Sequence, residues 1–290
     1  MAHQQGVSDP PHDEIAPPEA WDAIAAGYAT FVAPGEEPLS TAALSLVELA
    51  PGELFLDVAA GPGGLTPAAA KLGARVVATD WAPAMLAHLE ARIHAEGLTD
   101  VVTRVMDAHA LDLDDDRFDV VGSQFGVMLV PDQPQALSEM VRVTRPGGRV
   151  LVVAYGSPAE YEALQFFIAA LRSVDPDFDG LPDPPPLEFQ VSDPDVLRDR
   201  LTKAGLREVR VDTAHEERVD LRSGEECWNW VTNGNPIVGA ILADVAEADQ
   251  ATMRAVLDGM VRDRAGAAES AVLTAPVNIG WGRKPKPSLP

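Results

Sequence analysis

The stretch Leu54–Asp80, LFLDVAAGPGGLTPAAAKLGARVVATD, decides how this chain folds. An apolar run from Leu54 to Val58 meets a cluster of alanines and glycines, then a helical pattern from Leu65 to Leu72, then a second apolar run from Arg75 to Thr79. Strand, tight turn, helix and strand in that order describe a parallel β-α-β unit. The two runs end in or near Asp57 and Asp80, so two carboxylates belong at the edge of the sheet where open α/β folds bind ligands.

The alternation continues outward. Further apolar runs at Val101–Val105, Phe118–Ser123 and Arg149–Ala154 are expected strands, and Pro83–Glu96 and Gln135–Thr144 are expected helices. They are too apolar for half-exposed strands, which predicts burial on both faces. Upstream, Trp21, Ile24, Tyr28 and Phe31 mark one face of a helix expected to stop at Pro34. A second helix follows, with Ser40 or Thr41 as its N-cap and Pro51-Gly52 as its stop. Downstream, SPAEYEALQFFIAALRSV and SDPDVLRDRLTKAGL read as helices on either side of the proline-rich loop DPDFDGLPDPPPLEF, and Ser223–Gly266 reads as mostly helical. REVRVDT and APVNIGWGRK complete the strands.

The expected architecture is α/β: a doubly wound, mostly parallel, seven-stranded Rossmann-like sheet with helices on both faces. N-terminal helices and a C-terminal helical insertion form a substrate lid. The expected divisions are a disordered tail at 1–18, a core at 19–155, lid helices with the last strands at 156–283, and a second disordered tail at 284–290.

Composition narrows the function. Forty-five acidic residues against 22 basic ones give a net charge of −23 over 290 residues, which repels nucleic acid and anionic membrane surfaces. A small-molecule partner fits better. The single cysteine, Cys227, cannot form an internal disulfide, no signal segment opens the chain, and no apolar run approaches the roughly 20 residues a membrane span needs, so cytoplasm is the expected location.

The glycine turn excludes its phosphate-binding rivals. A P-loop requires Lys-Ser or Lys-Thr after the glycines, and a dinucleotide fingerprint requires a third small residue where Thr66 stands. Pro62 removes an N–H, and Asp57 adds negative charge beside any pyrophosphate. A cation is better served there, while Asp80 suits the two hydroxyls of a ribose and Asp107 adds a third acid at the end of the next strand. Together these describe a nucleoside with a cationic tail and no phosphates.

Residues 54–154 resemble the class I S-adenosylmethionine-dependent methyltransferases, especially the ubiquinone/menaquinone methyltransferase-like branch that includes small-molecule enzymes of secondary metabolism. The resemblance rests on LDVAAGPGG, VVATDWAPAML, MDAHAL, FDVVGSQFGVMLVPD and ALSEMVRVTRPGGRVLVVAYG, five motifs in order over about 100 residues. It implies S-adenosylmethionine as cofactor and S-adenosylhomocysteine as product. Ala59, Gly61 and Gly63 would hold the methionine part, with Asp57 near its amino group and Asp80 on the ribose. Trp81 and Met85 would flank the adenine, Asp107 and Ala108 would read its edge, and Gln124 and Phe125 would border cofactor and acceptor. The family usually writes glycine where Ala59 stands, and the methyl group is expected to tilt the loop.

Plainer alternatives stand beside several residues. Asp57 can cap the following helix, Met85 and Trp81 can be packing residues, and Trp21 and Tyr28 are either a lid over the cofactor or core. His109 and His215 are the candidate general bases, and no grouping of side chains has metal-ligand spacing. Phe166, Trp228, Trp230 and Asn233, with Phe167, Asn229 and Asn235, suit an apolar acceptor pocket. The expected activity is methyl transfer to oxygen, nitrogen or carbon of a small, partly apolar or aromatic metabolite, by a monomer or homodimer. The rivals are a non-catalytic scaffold that binds the cofactor and an NAD-dependent oxidoreductase.

Overall fold

The computed structural model describes residues 16–287, so residues 1–15 of the first expected tail and 288–290 of the second lie outside the described residues. The chain enters through helix α1 (Pro18–Gly27), passes a π-helical turn at Tyr28–Val32, and continues into α2 (Ala33–Leu46). The β-α alternation then runs β1 (Leu54–Val58), α3 (Leu65–Lys71), β2 (Arg75–Asp80), α4 (Pro83–Ala95), β3 (Val101–Val105), β4 (Phe118–Gln124), α5 (Gln133–Val143) and β5 (Thr144–Tyr155). The second half comprises α6 (Glu162–Arg172), α7 (Pro194–Lys203), β6 (Arg207–Leu221), α8 (Gly224–Gly234), α9 (Pro236–Ala243), α10 (Glu247–Ala265) and β7 (Ala271–Arg283).

The seven strands form one sheet in the order β3-β2-β1-β4-β5-β7-β6. The first five are parallel, and β7 inserts antiparallel between β5 and β6. Successive residues Phe55, Leu56, Asp57 and Val58 of β1 are all buried, as expected of a strand covered on both faces. Edge strand β3 departs from that expectation, because it has a neighbour on one side only and leaves Val102 and Val105 exposed.

Two expectations at the N-terminus are corrected. Pro34 does not end a helix: the π-helical turn absorbs the chain before it, and Pro34 falls in the first turn of α2, where a missing N–H costs nothing. Ser40 and Thr41 consequently lie inside α2 and cap nothing, and Ser40 faces the core. Asp22 of α1 instead caps α4, accepting the Ala84 N–H at 2.7 Å and bringing Trp21 and Tyr28 over the start of that helix.

Two apolar cores result. One lies between the sheet and its helices, around Phe55, Phe118 and Leu151, and the other lies among α6, α8, α10 and β7, around Trp230, Met253 and Leu257. Among the described residues no helix is long and apolar enough to cross a membrane.

Candidate active site

Parallel β1, β2 and β4 end together, so their last residues share one edge of the sheet. The turn after β1 is tied to that edge by two bonds and closed on itself by a third. Ala60 N–H reaches Thr79 O at 2.9 Å, Gly61 N–H reaches Asp80 Oδ2 at 2.9 Å, and Gly63 N–H reaches Ala60 O at 3.1 Å. Ala59 adopts φ +54°, a left-handed conformation in which glycine is at ease and an alanine methyl is strained. That methyl packs on Gly126, where an added Cβ would come within 2.5 Å of it. Two residues that differ from their surroundings only in size therefore set the spacing between the β1 and β4 turns.

A cavity opens on this turn. Its walls include Asp57, Ala59, Gly61, Asp80, Trp81, Met85, Asp107, Ala108, Gln124 and Phe125, with Trp21, Tyr28 and Glu36 from the N-terminal helices. Among the described residues none of its wall is lysine or arginine. Its acids are already partnered: Thr66 Oγ1 donates to Asp57 at 2.7 Å, Asp80 also accepts the Ala82 N–H at 2.9 Å, and Tyr28 OH donates to Glu36 at 2.6 Å. Burial pushes the Asp57 and Glu36 carboxyls up to about 7 each, against these hydrogen bonds, and it raises Asp80 against the N–H groups of Ala82 and Gly61. Gln124 is fixed from behind, its Oε1 3.0 Å from Ser40 Oγ.

A second cavity adjoins the first and shares Tyr28, Phe125 and Leu129 with it. Its wall is aromatic: the rings of Phe125 and Tyr155 stack at 4.4 Å, Tyr161 follows at 4.7 Å, and Phe189 and Trp230 stand edge-on to Tyr161 at 6.5 and 6.1 Å. Behind it, Tyr155 OH donates to buried Glu217 at 3.0 Å. Burial, with repulsion from Glu36, pushes the Glu217 carboxyl up to about 8.

Residues 56–152 match the family described as methyltransferase domain. Over that region, about a third of the chain, the sequence is similar to methyltransferases. The chain is 42% identical over 115 residues to demethylmenaquinone methyltransferase of Mycobacterium tuberculosis, covering 39% of this chain and 46% of that protein. An uncharacterized protein of the same organism is 41% identical over 128 residues, covering 44% of this chain and 46% of that protein. The chain thus spans about half the length of the curated relatives it matches. In fold it is similar to phosphoethanolamine N-methyltransferase 2 of Haemonchus contortus, solved with phosphomonomethylethanolamine and S-adenosylhomocysteine. The TM-score is 0.57 at 19% identity, covering 91% of this chain and 58% of that one. The match over residues 56–152 agrees with the expected family.

Every residue expected around the cofactor lines the first cavity except Gly63. Gly63, at φ +111°, packs behind the turn, where a Cβ would meet Leu89 at 2.7 Å, and Arg92 holds its carbonyl at 2.9 Å. Asp57 bonds to Thr66 in the first turn of α3, which is close to the helix-capping alternative. Met85 is both a wall and buried packing.

The two histidines part company. His109 lines the first cavity, but Nδ1 lies 2.7 Å from Asp107 Oδ1 and Nε2 accepts the Asp132 N–H at 3.3 Å, so both ring nitrogens are engaged as a brace. His215 faces an open groove elsewhere, 3.5 Å from Asp212.

Of the residues expected around the acceptor, Trp230 lines the second cavity and Trp21 the first. Phe166, one position from cavity-lining Phe167 on α6, points into the groove beside His215. Trp228 is turned into the C-terminal core, with the Arg254 guanidinium 4.5 Å above its ring. Asn233 bonds back to Asn229 O at 2.7 Å and fills the space beside Gly27, while Asn235 takes a place in the cavity wall.

Several site residues went unforeseen in the sequence: Glu36, Ser40, Tyr155, Tyr161, Glu188 and Glu217. Glu36 and Ser40 share a helical face with buried Val32, Leu39 and Ala43, a polar pair in an apolar stripe that ending the helix at Pro34 concealed. Glu217 alternates in step with Val219 and Leu221, which places a carboxylate at an inward position of β6.

Proposed function

We propose that the chain is an S-adenosylmethionine-dependent methyltransferase that binds its cofactor in the first cavity and a small, largely apolar or aromatic acceptor in the second. The observation that carries this is the adjacency of the two cavities across Tyr28, Phe125 and Leu129, one built on the methyltransferase turn and the other walled by aromatic rings.

The residues present fit the cofactor. Among the described residues no lysine or arginine is in the wall to neutralise a phosphate, Asp80 has a carboxylate beside the turn for a ribose, and Met85, Met106 and Ala108 offer apolar surface to a flat base. Buried Asp57 and Glu36 are suited to a cationic end. In this reading Ala59 and Gly61 follow the methionine part, Trp81 and Met85 flank the adenine, Asp107 and Ala108 read its edge, and Gln124 and Phe125 stand at the border with the acceptor.

When bound, S-adenosylmethionine supplies a methyl group already activated on a sulfonium. The protein's contribution is then placement and exclusion of water, which supply much of the catalysis without a covalent enzyme intermediate. Phe125, at the border of both cavities, aligns the acceptor, and the helices after residue 155 close the acceptor side as a cover. The division into a core at 19–155 and a cover at 156–283 belongs to this reading. A net charge of −23 supports a small metabolite over a nucleic acid, and a single cysteine supports a reducing cytoplasm. A site built from one chain is compatible with a monomer or a homodimer in secondary metabolism.

Incubation with S-adenosylmethionine carrying a labelled methyl group and a metabolite extract is the direct test. Label recovered in a small acceptor supports the proposal. Binding of the cofactor with no transfer to any fraction favours the scaffold reading.

A further inference from the structure

The second cavity has a chemical bias beyond its aromatic walls. Glu188, carried on the turn after the proline-rich loop, lines it together with Trp230. Asn235 Nδ2 donates to Glu188 Oε1 at 3.2 Å, but the buried Oε2 has no hydrogen-bond partner among the described residues. The indole Nε1 of Trp230, whose side chain is 5% exposed, is likewise buried and unpartnered. Buried polar atoms without partners are rare because each forfeits a hydrogen bond it had in water, so an unpaired acceptor and an unpaired donor in one cavity wall point to a ligand that supplies the partners.

Charge narrows the class of that ligand. Among the described residues no lysine, arginine or histidine lines the second cavity, whereas Glu188 lies in its wall and Glu217 stands behind Tyr155. Glu36 adds a third carboxyl behind Tyr28, a residue common to both cavities. A carboxylate or phenolate acceptor would meet no counter-charge among the described wall residues. A protonated amine would meet a free carboxylate oxygen and the faces of Tyr155, Tyr161 and Phe125.

From this juxtaposition, and resting on the methyltransferase reading above, we infer that the acceptor is an amine on an apolar, aromatic-sized scaffold. Its nitrogen bonds to Glu188 Oε2, and an acceptor atom elsewhere on it takes the Trp230 N–H. Burial raises the Glu188 carboxyl, which suits it to take a proton from the bound ammonium: the N–H bond breaks, the proton moves to Oε2, and the nitrogen keeps the freed electron pair. The methylated position is then nitrogen, not oxygen or carbon.

The test uses the full chain saturated with S-adenosylhomocysteine and matched probes that differ in one group: tyramine, phenethylamine and tryptamine, with the corresponding alcohols and carboxylic acids. Calorimetry should show the amine of at least one scaffold binding more tightly than its alcohol, and the acid binding least. Glu188→Gln should weaken the amine about tenfold and leave its alcohol within about twofold, the difference expected when a charge-assisted bond becomes a neutral one. Its thermal unfolding and its affinity for S-adenosylhomocysteine should match the wild type. Acids binding as well as amines, no amine binding, or unchanged amine selectivity in Glu188→Gln overturns the inference while leaving the cofactor reading intact. Failure of the wild type to bind S-adenosylhomocysteine overturns the methyltransferase reading itself.

Discussion

The two cavities differ in how far the protein completes them. Around the first, the polar groups already have partners within the chain: Asp57 with Thr66, Asp80 with the N–H groups of Gly61 and Ala82, and Gln124 with Ser40. Around the second, Glu188 Oε2, Trp230 Nε1 and Glu217 Oε1 have none among the described residues. The first is a cradle whose shape is fixed before anything binds, and the second keeps hydrogen-bonding capacity in reserve. The difference agrees with the proposed roles of the first cavity as cofactor site and the second as acceptor site.

The largest expected effect breaks the first cradle. Asp80→Ala strands the N–H groups of Gly61 and Ala82, and stability should fall by about 1–3 kcal/mol. It also removes the proposed ribose contact, and affinity for S-adenosylhomocysteine should fall about 10–100-fold, the equivalent of about 1.4–2.8 kcal/mol. Calorimetry and thermal unfolding of the same variant read the two losses. Unchanged affinity with lowered stability would make Asp80 a brace for the turn alone.

Next comes the pH dependence. Glu36 and Asp57 titrate near 7 in the folded chain and Glu217 near 8, against ordinary carboxyl values of 4.5, 3.8 and 4.5. At these three groups the folded state therefore binds more protons than the unfolded state between those limits, so their contribution to stability is fully present below about pH 4 and lost as pH rises through 7 and 8. Unfolding midpoints measured from pH 5 to pH 8.5 should decline. Glu217→Gln, which cannot ionise, should flatten the upper part of that decline and stabilise the chain at pH 8.5 by about 1–3 kcal/mol. A flat wild-type profile would mean these carboxyls are far better solvated than their burial indicates.

Much of the first cavity was legible in the sequence and little of the second. Strand ends, a small-residue turn and three aspartates depend on short-range order: once β1, β2 and β4 are parallel, Asp57 and Asp80 must share an edge. The second cavity gathers Tyr28, Tyr155, Tyr161, Glu188 and Trp230 from five separate segments, and no local pattern tells which face of α6 or α8 turns inward. Phe166 and Phe167 differ by one position, Trp228 and Trp230 by two, and in each pair only the second lines the cavity. At the N-terminus, a π-helical turn cancelled the rule that proline ends a helix and hid Glu36 from view.

Smaller effects sharpen the contrast. Trp230→Phe removes an N–H that has no partner, so stability should change by less than about 1 kcal/mol, whereas deleting a satisfied indole would cost more. Ala59→Gly relieves a left-handed alanine but loosens the unfolded chain, and the two terms should leave a net stabilisation of about 0.5–1 kcal/mol. Chemical denaturation detects either shift, and a loss of stability in Ala59→Gly would mean that the methyl's contact with Gly126 outweighs its strain.

The most direct measurement is a calorimetric titration of S-adenosylhomocysteine into the wild-type chain, with NAD as the control. The structure predicts saturable binding of S-adenosylhomocysteine at one site per chain and none of NAD. No binding of S-adenosylhomocysteine, or preference for NAD, would contradict it.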